Sequence, residues 1–337
     1  MVNVGVIGLG PQWEMGYRAA LERSRSRIAI RAVYDAVEGR AAQVAAVWRA
    51  DPCDGIRALL DRPDVRAVLL LDAAWHGPRP FEFILASRKP ALFGVWPEVS
   101  PSRIGELAGY ARDQSLTLIP AFPQRYMPST ARLRELIATR IGRPRRITID
   151  ADCPDGAETG RPGEDIGCRP LLHLFDWCRQ VIRTPPASAL AAAGESSRGA
   201  SPVTGRIELE FRAPRDGTSC RVEIELGSRS PGPALPDEPG HADWIPRRIE
   251  IEAERGSATI TGPCTICWSA SGPSAEESLT AERSEFEVLL DLFCRRVVGG
   301  LIPVADFGDI ARGLALWSAC EESVRRGGPV KLSGRDV

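Results

Sequence analysis

The stretch MVNVGVIGLGPQWEMGYRAALERSRSRIAIRAVYD, residues 1–35, decides the fold. Val2–Ile7 is an apolar run of strand type that ends in Gly8-Leu9-Gly10. A helical spacing follows from about Glu14 to Arg23, then a second apolar run, Ile28–Tyr34, that ends on Asp35. Strand, glycine turn, helix, strand and acid in that order match a dinucleotide-binding unit. The glycines permit a tight turn and let the backbone approach a pyrophosphate, whose charge is stabilised by a helix N-terminus. The acid accepts hydrogen bonds from the adenosine ribose and repels a 2′-phosphate, which favours NAD over NADP. The third glycine is displaced: Trp13 holds its nominal position and Gly16 comes three residues later. The cofactor-binding candidates here are Gly8, Gly10, Pro11, Gln12, Trp13, Asp35 and Arg40; the alternative is a glycine-rich turn in a fold that no longer holds a nucleotide.

Working outward, Val37–Arg49 has helical spacing and Ala67–Leu71 is continuously apolar, as in a parallel strand covered on both faces. Phe81–Ser87 and Arg103–Asp113 read as helices, Ala91–Phe93 and Leu116–Ile119 as strands. This alternation predicts an α/β domain over residues 1–122, a doubly wound parallel sheet with right-handed crossovers. Trp75 and His76 follow the third long strand, at the carboxyl end of such a sheet where cofactors lie, and join the cofactor-binding candidates.

Beyond residue 122 the texture changes. Ile147–Ala151, Ile207–Phe211, Cys220–Leu226, Arg248–Glu252 and Ala258–Ile260 are strand-like, several with alternating polarity. They predict an α+β domain over 123–337 with a large, mostly antiparallel open sheet. Helical stretches flank it at about Ser129–Ala138 and Arg169–Ile182, and two amphipathic ones close the chain at about Glu282–Val298 and Phe307–Arg325. Thr184–Val203 and Gly227–Asp243 are rich in Pro, Gly and Ser and read as surface loops. His241 falls in the second of these.

The 337 residues are 43% hydrophobic and 26% charged, ordinary globular usage for two domains with separate cores. With 43 Lys and Arg against 44 Asp and Glu, no basic surface is expected and no nucleic-acid partner. No apolar run reaches membrane-spanning length, and Met1 leads straight into a strand without a leader-like segment. Nine cysteines without a framework read as reduced thiols in a cytoplasmic protein. Cys264 and Cys267 form the one C-x-x-C, with no second ligand pair nearby, so no metal is expected.

VNVGVIGLG, VYD, AFPQRYMP, IGRPRRI, DIGCRPL, FEVLLDLFCRRVVGG and SACEESVRRGGPVKL run in order along the chain. As a set they resemble the Gfo/Idh/MocA oxidoreductases, the family of glucose–fructose oxidoreductase, inositol dehydrogenase and the rhizopine-catabolism proteins. The resemblance implies a Rossmann domain followed by an α/β domain whose open sheet joins protomers into a homodimer or homotetramer. It also implies NAD(P)-dependent oxidation or reduction of sugars, inositols and related polyols. The loop carrying Trp75 and His76 lines the nicotinamide pocket in that family.

The family's Glu-Lys-Pro departs here to Val95-Trp96-Pro97, with Trp96 where the lysine stands. An indole donates one hydrogen bond and cannot shuttle a proton at neutral pH, though it can stack on a sugar or on the nicotinamide. The family's Asp-x-Gly-x-His/Tyr segment matches Asp165-Ile166-Gly167-Cys168, which puts Arg169 at the His/Tyr position. Arginine is a clamp for a carboxylate or oxyanion rather than a base. His173 lies one helical turn further on; a second register places His173 itself at the family histidine and Arg169 at the aspartate. Asp176, three residues after His173, could orient its ring.

The catalytic candidates are therefore His173, as general acid/base in place of the lysine, and Asp165. The substrate-binding candidates are Arg125, Arg169 and Trp96. For each there is a structural alternative: a helix histidine hydrogen-bonded at a domain interface, a helix N-terminal acid, a salt-bridged hinge arginine. The leading functional reading is an NAD-dependent oxidoreductase of a sugar, polyol or related carbohydrate derivative, an acidic one if Arg125 and Arg169 bind it. Two others stand beside it, a catalytically inactive nucleotide- or sugar-binding or assembly subunit, and an NAD-dependent glycosidase.

Overall fold

The structure, a computed structural model, describes residues 1–73, 76–95, 101–153, 168–192, 205–213, 217–228, 246–270 and 272–332. The chain forms two compact units, Met1–Pro123 with Ser284–Ile310, and Gln124–Arg283 with Ala311–Val337.

The first unit is built on a sheet of β1 (Val2–Ile7), β2 (Ile28–Tyr34), β3 (Asp51–Pro52), β4 (Ala67–Leu70), β5 (Ala91–Phe93) and β6 (Leu118–Pro120). Their spatial order is β3-β2-β1-β4-β5-β6, and every pairing is parallel. All residues of β4 and β5 are buried, which is why these segments read as unbroken apolar runs rather than alternating ones. The strand order reverses between β1 and β4, so the crevice beyond their carboxyl ends is the ligand position that this topology creates.

Helix Glu285–Val297 belongs to this unit although more than 160 residues separate it from β6. The sequence division at 122 assigns it to the second domain; its packing explains the difference. Ser284 caps it with a complete capping box, in which Glu287 N–H donates to Ser284 Oγ (3.3 Å) and Ser284 N–H donates to Glu287 Oε2 (3.0 Å). Glu287 also meets Arg23 at 3.2 Å, and Asp291 pairs with Arg27. The partner of this helix is the one that follows the glycine turn, which contains a π-helical turn, Trp13–Tyr17, before Arg18–Arg23. Gly16 lies in that turn, and a Cβ there would come within 2.2 Å of the Phe286 ring. The displaced third glycine thus has a packing reason. Trp13 turns into the core edge-on to Trp48, with ring centroids 6.2 Å apart.

The second unit holds a sheet of β7 (Pro144–Cys153), β8 (Pro186–Ala191), β9 (Arg206–Arg212), β10 (Ser219–Ser228), β11 (Arg248–Ala253), β12 (Gly256–Ile260), β13 (Thr265–Ala270), β14 (Ala275–Ser278) and β15 (Val330–Lys331). The order is β14-β13-β12-β11-β7-β10-β9-β8-β15, with only β7 and β10 parallel among these pairings. Ile147, Ile149, Ile207, Leu209, Val222, Ile224, Ile249 and Ile251 bury one face. The other carries charge, with Arg146 and Arg206 both on the buried Glu223 carboxylate at 2.9 and 2.7 Å. Those two guanidiniums hold Glu223 below the usual carboxylate range.

The expected loop Thr184–Val203 is corrected in part, because Pro186–Ala191 is a strand. Its small residues carry little β-propensity of their own; pairing with β9 on one side and β15 on the other recruits it. Cys267 lies in β13 and Cys264 in the turn before it, both half-buried. Helix Cys168–Ile182 is almost wholly buried from Leu171 to Val181, and Trp177 Nε1 donates to Thr130 Oγ1 at 2.9 Å. No described helix is long and apolar enough to cross a membrane.

Gly16→Ala should destabilise the protein by about 1–3 kcal/mol, the usual cost of overpacking, read by urea unfolding. Phe286→Leu in the same chain should recover part of that loss; if Gly16→Ala alone is neutral, the close contact does not govern this packing.

Candidate functional site

At the carboxyl end of β1, Gly8 has φ +82°, a left-handed conformation that glycine adopts without strain. Space is closed there as well: a Cβ on Gly8 would lie 2.4 Å from the Asp72 carbonyl oxygen, and one on Gly10 2.1 Å from Asp72 Oδ2. Both glycines are therefore demanded by the chain leaving β4. Asp35, at the end of β2, is buried, and it holds the turn from the other side. Leu9 N–H donates to Asp35 Oδ2 at 2.7 Å and Val37 N–H to Oδ1 at 2.8 Å. Arg40 reaches the same place, with its Nη1 3.8 Å from Asp35 Oδ1 and 3.4 Å from the Leu9 carbonyl. Each carboxylate oxygen carries more than one lone pair, so Asp35 retains acceptor capacity for ribose hydroxyls.

Two further side chains frame this edge. Tyr34 Oη and His76 Nε2 share a hydrogen bond of 3.0 Å. Burial, with the neighbouring Asp35 carboxylate, pushes the Tyr34 phenol above its ordinary value, so it stays protonated at neutral pH. Sequence reasoning singled out His76 but not Tyr34 or Asp72. An acid directly after a buried parallel strand, at the end of the sheet where ligands lie, is the signal that could have found Asp72.

Of the other first-unit candidates, Pro11 is exposed and Gln12 half-buried, both at the start of the helix that follows the turn. Trp13 is 1% exposed and packs on Trp48, so its indole faces the core rather than the turn's outer side. Trp75 and Trp96 lie outside the described residues.

In the second unit, the structure places Arg125 in a buried ion pair. It forks onto Asp176, with Nε 2.6 Å from Oδ2 and Nη2 2.5 Å from Oδ1. At 7% and 1% exposure, the two form a sequestered bidentate pair, which is the salt-bridged alternative rather than an open clamp. Both oxygens of the acid expected to orient His173 thus accept from Arg125. His173 sits half-buried on helix Cys168–Ile182, with its Nδ1 on the buried side. Arg169 is in the first turn of that helix; Asp165 lies outside the described residues. The structure brings Gly8, Gly10, Asp35, Arg40 and His76 together at one sheet edge, and Arg125 and His173 onto the elements of the second unit.

A Rossmann-type unit joined to a mixed, mostly antiparallel sheet is the fold of the two-domain dehydrogenases, and this chain has it. It shares that fold over nearly its full length with three solved structures among others. UDP-N-acetylglucosamine 3-dehydrogenase from Acidithiobacillus ferrooxidans is 18% identical, with 96% of this chain and 98% of that chain covered and a TM-score of 0.70. Aldose-aldose oxidoreductase from Caulobacter crescentus is 14% identical, with 98% and 99% covered and a TM-score of 0.72. The transcriptional regulator Gal80p from Kluyveromyces lactis is 14% identical, with 100% and 95% covered and a TM-score of 0.76. The two enzymes are dehydrogenases of the Gfo/Idh/MocA type. No family model matches the sequence, and no curated protein matches it.

Asp176→Asn should cost about 3–5 kcal/mol, because it leaves the Arg125 charge buried without its partner. Equilibrium unfolding in urea checks this. Unchanged stability would contradict a structural ion pair and return Arg125 to the ligand-binding candidates.

Proposed function

We propose that the chain is an oxidoreductase that transfers hydride between NAD and a carbinol carbon of a sugar, polyol or related carbohydrate derivative. The observation that carries this reading is the Gly8–Gly10 turn pinned between Asp35 and Asp72 at the switch point of the first sheet. These residues fit a dinucleotide: the turn offers a close backbone approach, and the Asp35 carboxylate faces the position of an adenosine ribose. Bound there, NAD supplies the hydride acceptor.

The chain's own residues do the rest. Asp35 orients the ribose and disfavours a 2′-phosphate, while Arg40 beside it moderates that discrimination. His173, with Nδ1 turned inward, takes the substrate hydroxyl proton at Nε2, the task of an imidazole as general acid/base. Asp165, three residues before helix Cys168–Ile182 in the sequence, is the second catalytic candidate, and Arg169 clamps an acidic substituent of the substrate. Trp96 offers an aromatic face. The reading carries with it a homodimer or homotetramer built through the large sheet, in the cytoplasm.

A second reading, a nucleotide- or sugar-binding subunit without catalysis, is favoured by one observation. Asp72 presses a carboxylate against Gly10, where a pyrophosphate would approach. The fold shared with a transcriptional regulator accords with it.

An NADH titration, followed by energy transfer from protein tryptophan to the nicotinamide, separates the readings. Micromolar NADH affinity with much weaker NADPH is expected. Asp35→Ser should weaken NADH about tenfold or more, the equivalent of one or two hydrogen bonds to a charged group, and narrow the gap to NADPH. Binding of neither nucleotide by the folded protein would sink the oxidoreductase reading. Once a substrate is found, His173→Gln should lower kcat by about 10²–10⁴ while leaving NADH affinity unchanged. An unaltered kcat would remove His173 from the chemistry.

A further inference from the structure

The second unit contains a pocket of about 1200 Å³ that the proposed reaction does not use. It opens between the end of helix Cys168–Ile182, the π-helical turn Ile137–Ile141, the start of β7 and the turn leading into β10. Its end of the helix is nine residues from His173, roughly 14 Å along the axis. Five of its lining residues are arginines: Arg134, Arg143, Arg145, Arg183 and Arg255. The single carboxylate among the described lining residues is Glu254, which accepts a hydrogen bond from the Arg143 backbone N–H at 3.1 Å.

Most proteins disperse such charge or pair it. Here Arg145, Arg183 and Arg255 are exposed at the rim and take part in no ion pair among the described residues. Arg134 is half-buried deeper in the wall. One of its nitrogens, Nη1, donates to the Arg125 carbonyl at 3.2 Å, while its buried Nε has no hydrogen-bond partner among the described residues. Burial, together with the Arg183 and Arg125 charges, pushes Arg134 below the usual guanidinium range. The cations thus raise one another's energy, and an anion between them would relieve it. Arg183 occupies a left-handed conformation, φ +58°, where a helix end ordinarily places glycine, as do Arg49 and Arg88 at the ends of two other helices. Val181, Ile182 and Phe211 supply an apolar wall.

We propose that this pocket is a binding site for a small organic polyanion, one carrying at least two phosphoryl or carboxylate groups on a compact body. Guanidinium forks match both groups bidentately, and the volume exceeds what a single inorganic anion fills.

Isothermal titration of the full chain tests it, with fructose 1,6-bisphosphate as the phosphoryl probe and citrate as the carboxylate probe, at constant ionic strength. At least one should bind in the micromolar range, and the preferred probe identifies the source of the charge. Arg145→Ala with Arg183→Gly should weaken that binding about tenfold or more. Glycine relieves the left-handed position, so this variant should fold at least as stably as the parent. Arg112→Ala with Arg49→Gly, two exposed arginines of the first unit of which Arg49 is also left-handed at a helix end (φ +55°), is the charge-matched control and should leave binding unchanged. NADH affinity, measured in parallel, should be the same in all variants, so the result stands apart from that of the cofactor site. Failure of both probes to bind at millimolar concentration overturns the proposal, as does undiminished binding in the Arg145/Arg183 variant.

Discussion

The first unit closes on a missing side chain. Where helix Glu285–Val297 meets the helix after the glycine turn, Phe286 occupies the volume that any Cβ on residue 16 would need. That contact joins segments more than 260 residues apart and is reinforced by Arg23–Glu287. It has costs. Tyr17, 4.9 Å from the Phe286 ring centroid, keeps its hydroxyl buried among the described residues without a hydrogen bond, and burial beside Glu285 pushes its phenol far up. The π-helical turn is part of the same accommodation, since a widened turn redistributes side chains around the helix.

The glycine turn on the other side of that helix is held by acids rather than by packing. Asp35 binds the turn's own backbone, and Asp72 fills the space next to both glycines. The turn is therefore pre-shaped, which lowers the ordering cost of binding a ligand. It is also electronegative, which raises the cost for an anionic one. Arg40 is the compensating cation within reach of Asp35. The balance between these charges sets how strongly this edge can hold a pyrophosphate, and it follows from residue identities after two strands and in the helix that follows β2 rather than from the fold.

Much of the architecture was legible in the sequence because parallel strands and long amphipathic helices leave strong periodic signals. β1, β2, β4 and β5 announce themselves as apolar runs, and helix Cys168–Ile182 by its stripe. β8 and β14 were not legible, since their pairing is supplied by neighbours and not by their own composition. At the site, Gly8, Gly10 and Asp35 were legible from spacing. The engagement of Arg125 with Asp176 was not, because sequence separation of 51 residues hides which acid an arginine meets. Nor was the role of Gly16, whose partner lies near the other end of the chain.

The route of the backbone has a consequence for biosynthesis. Residues 124–283 must all be made before the helix that completes the first unit leaves the ribosome. At ordinary translation speeds, that interval is on the order of tens of seconds. Throughout it, the nascent unit lacks the helix that covers Gly16 and Tyr17 in the folded chain. An N-terminal domain that stays unfinished while its successor is synthesised offers a natural client for a chaperone, and the distance from β6 to Phe286 sets how long that guardianship must last.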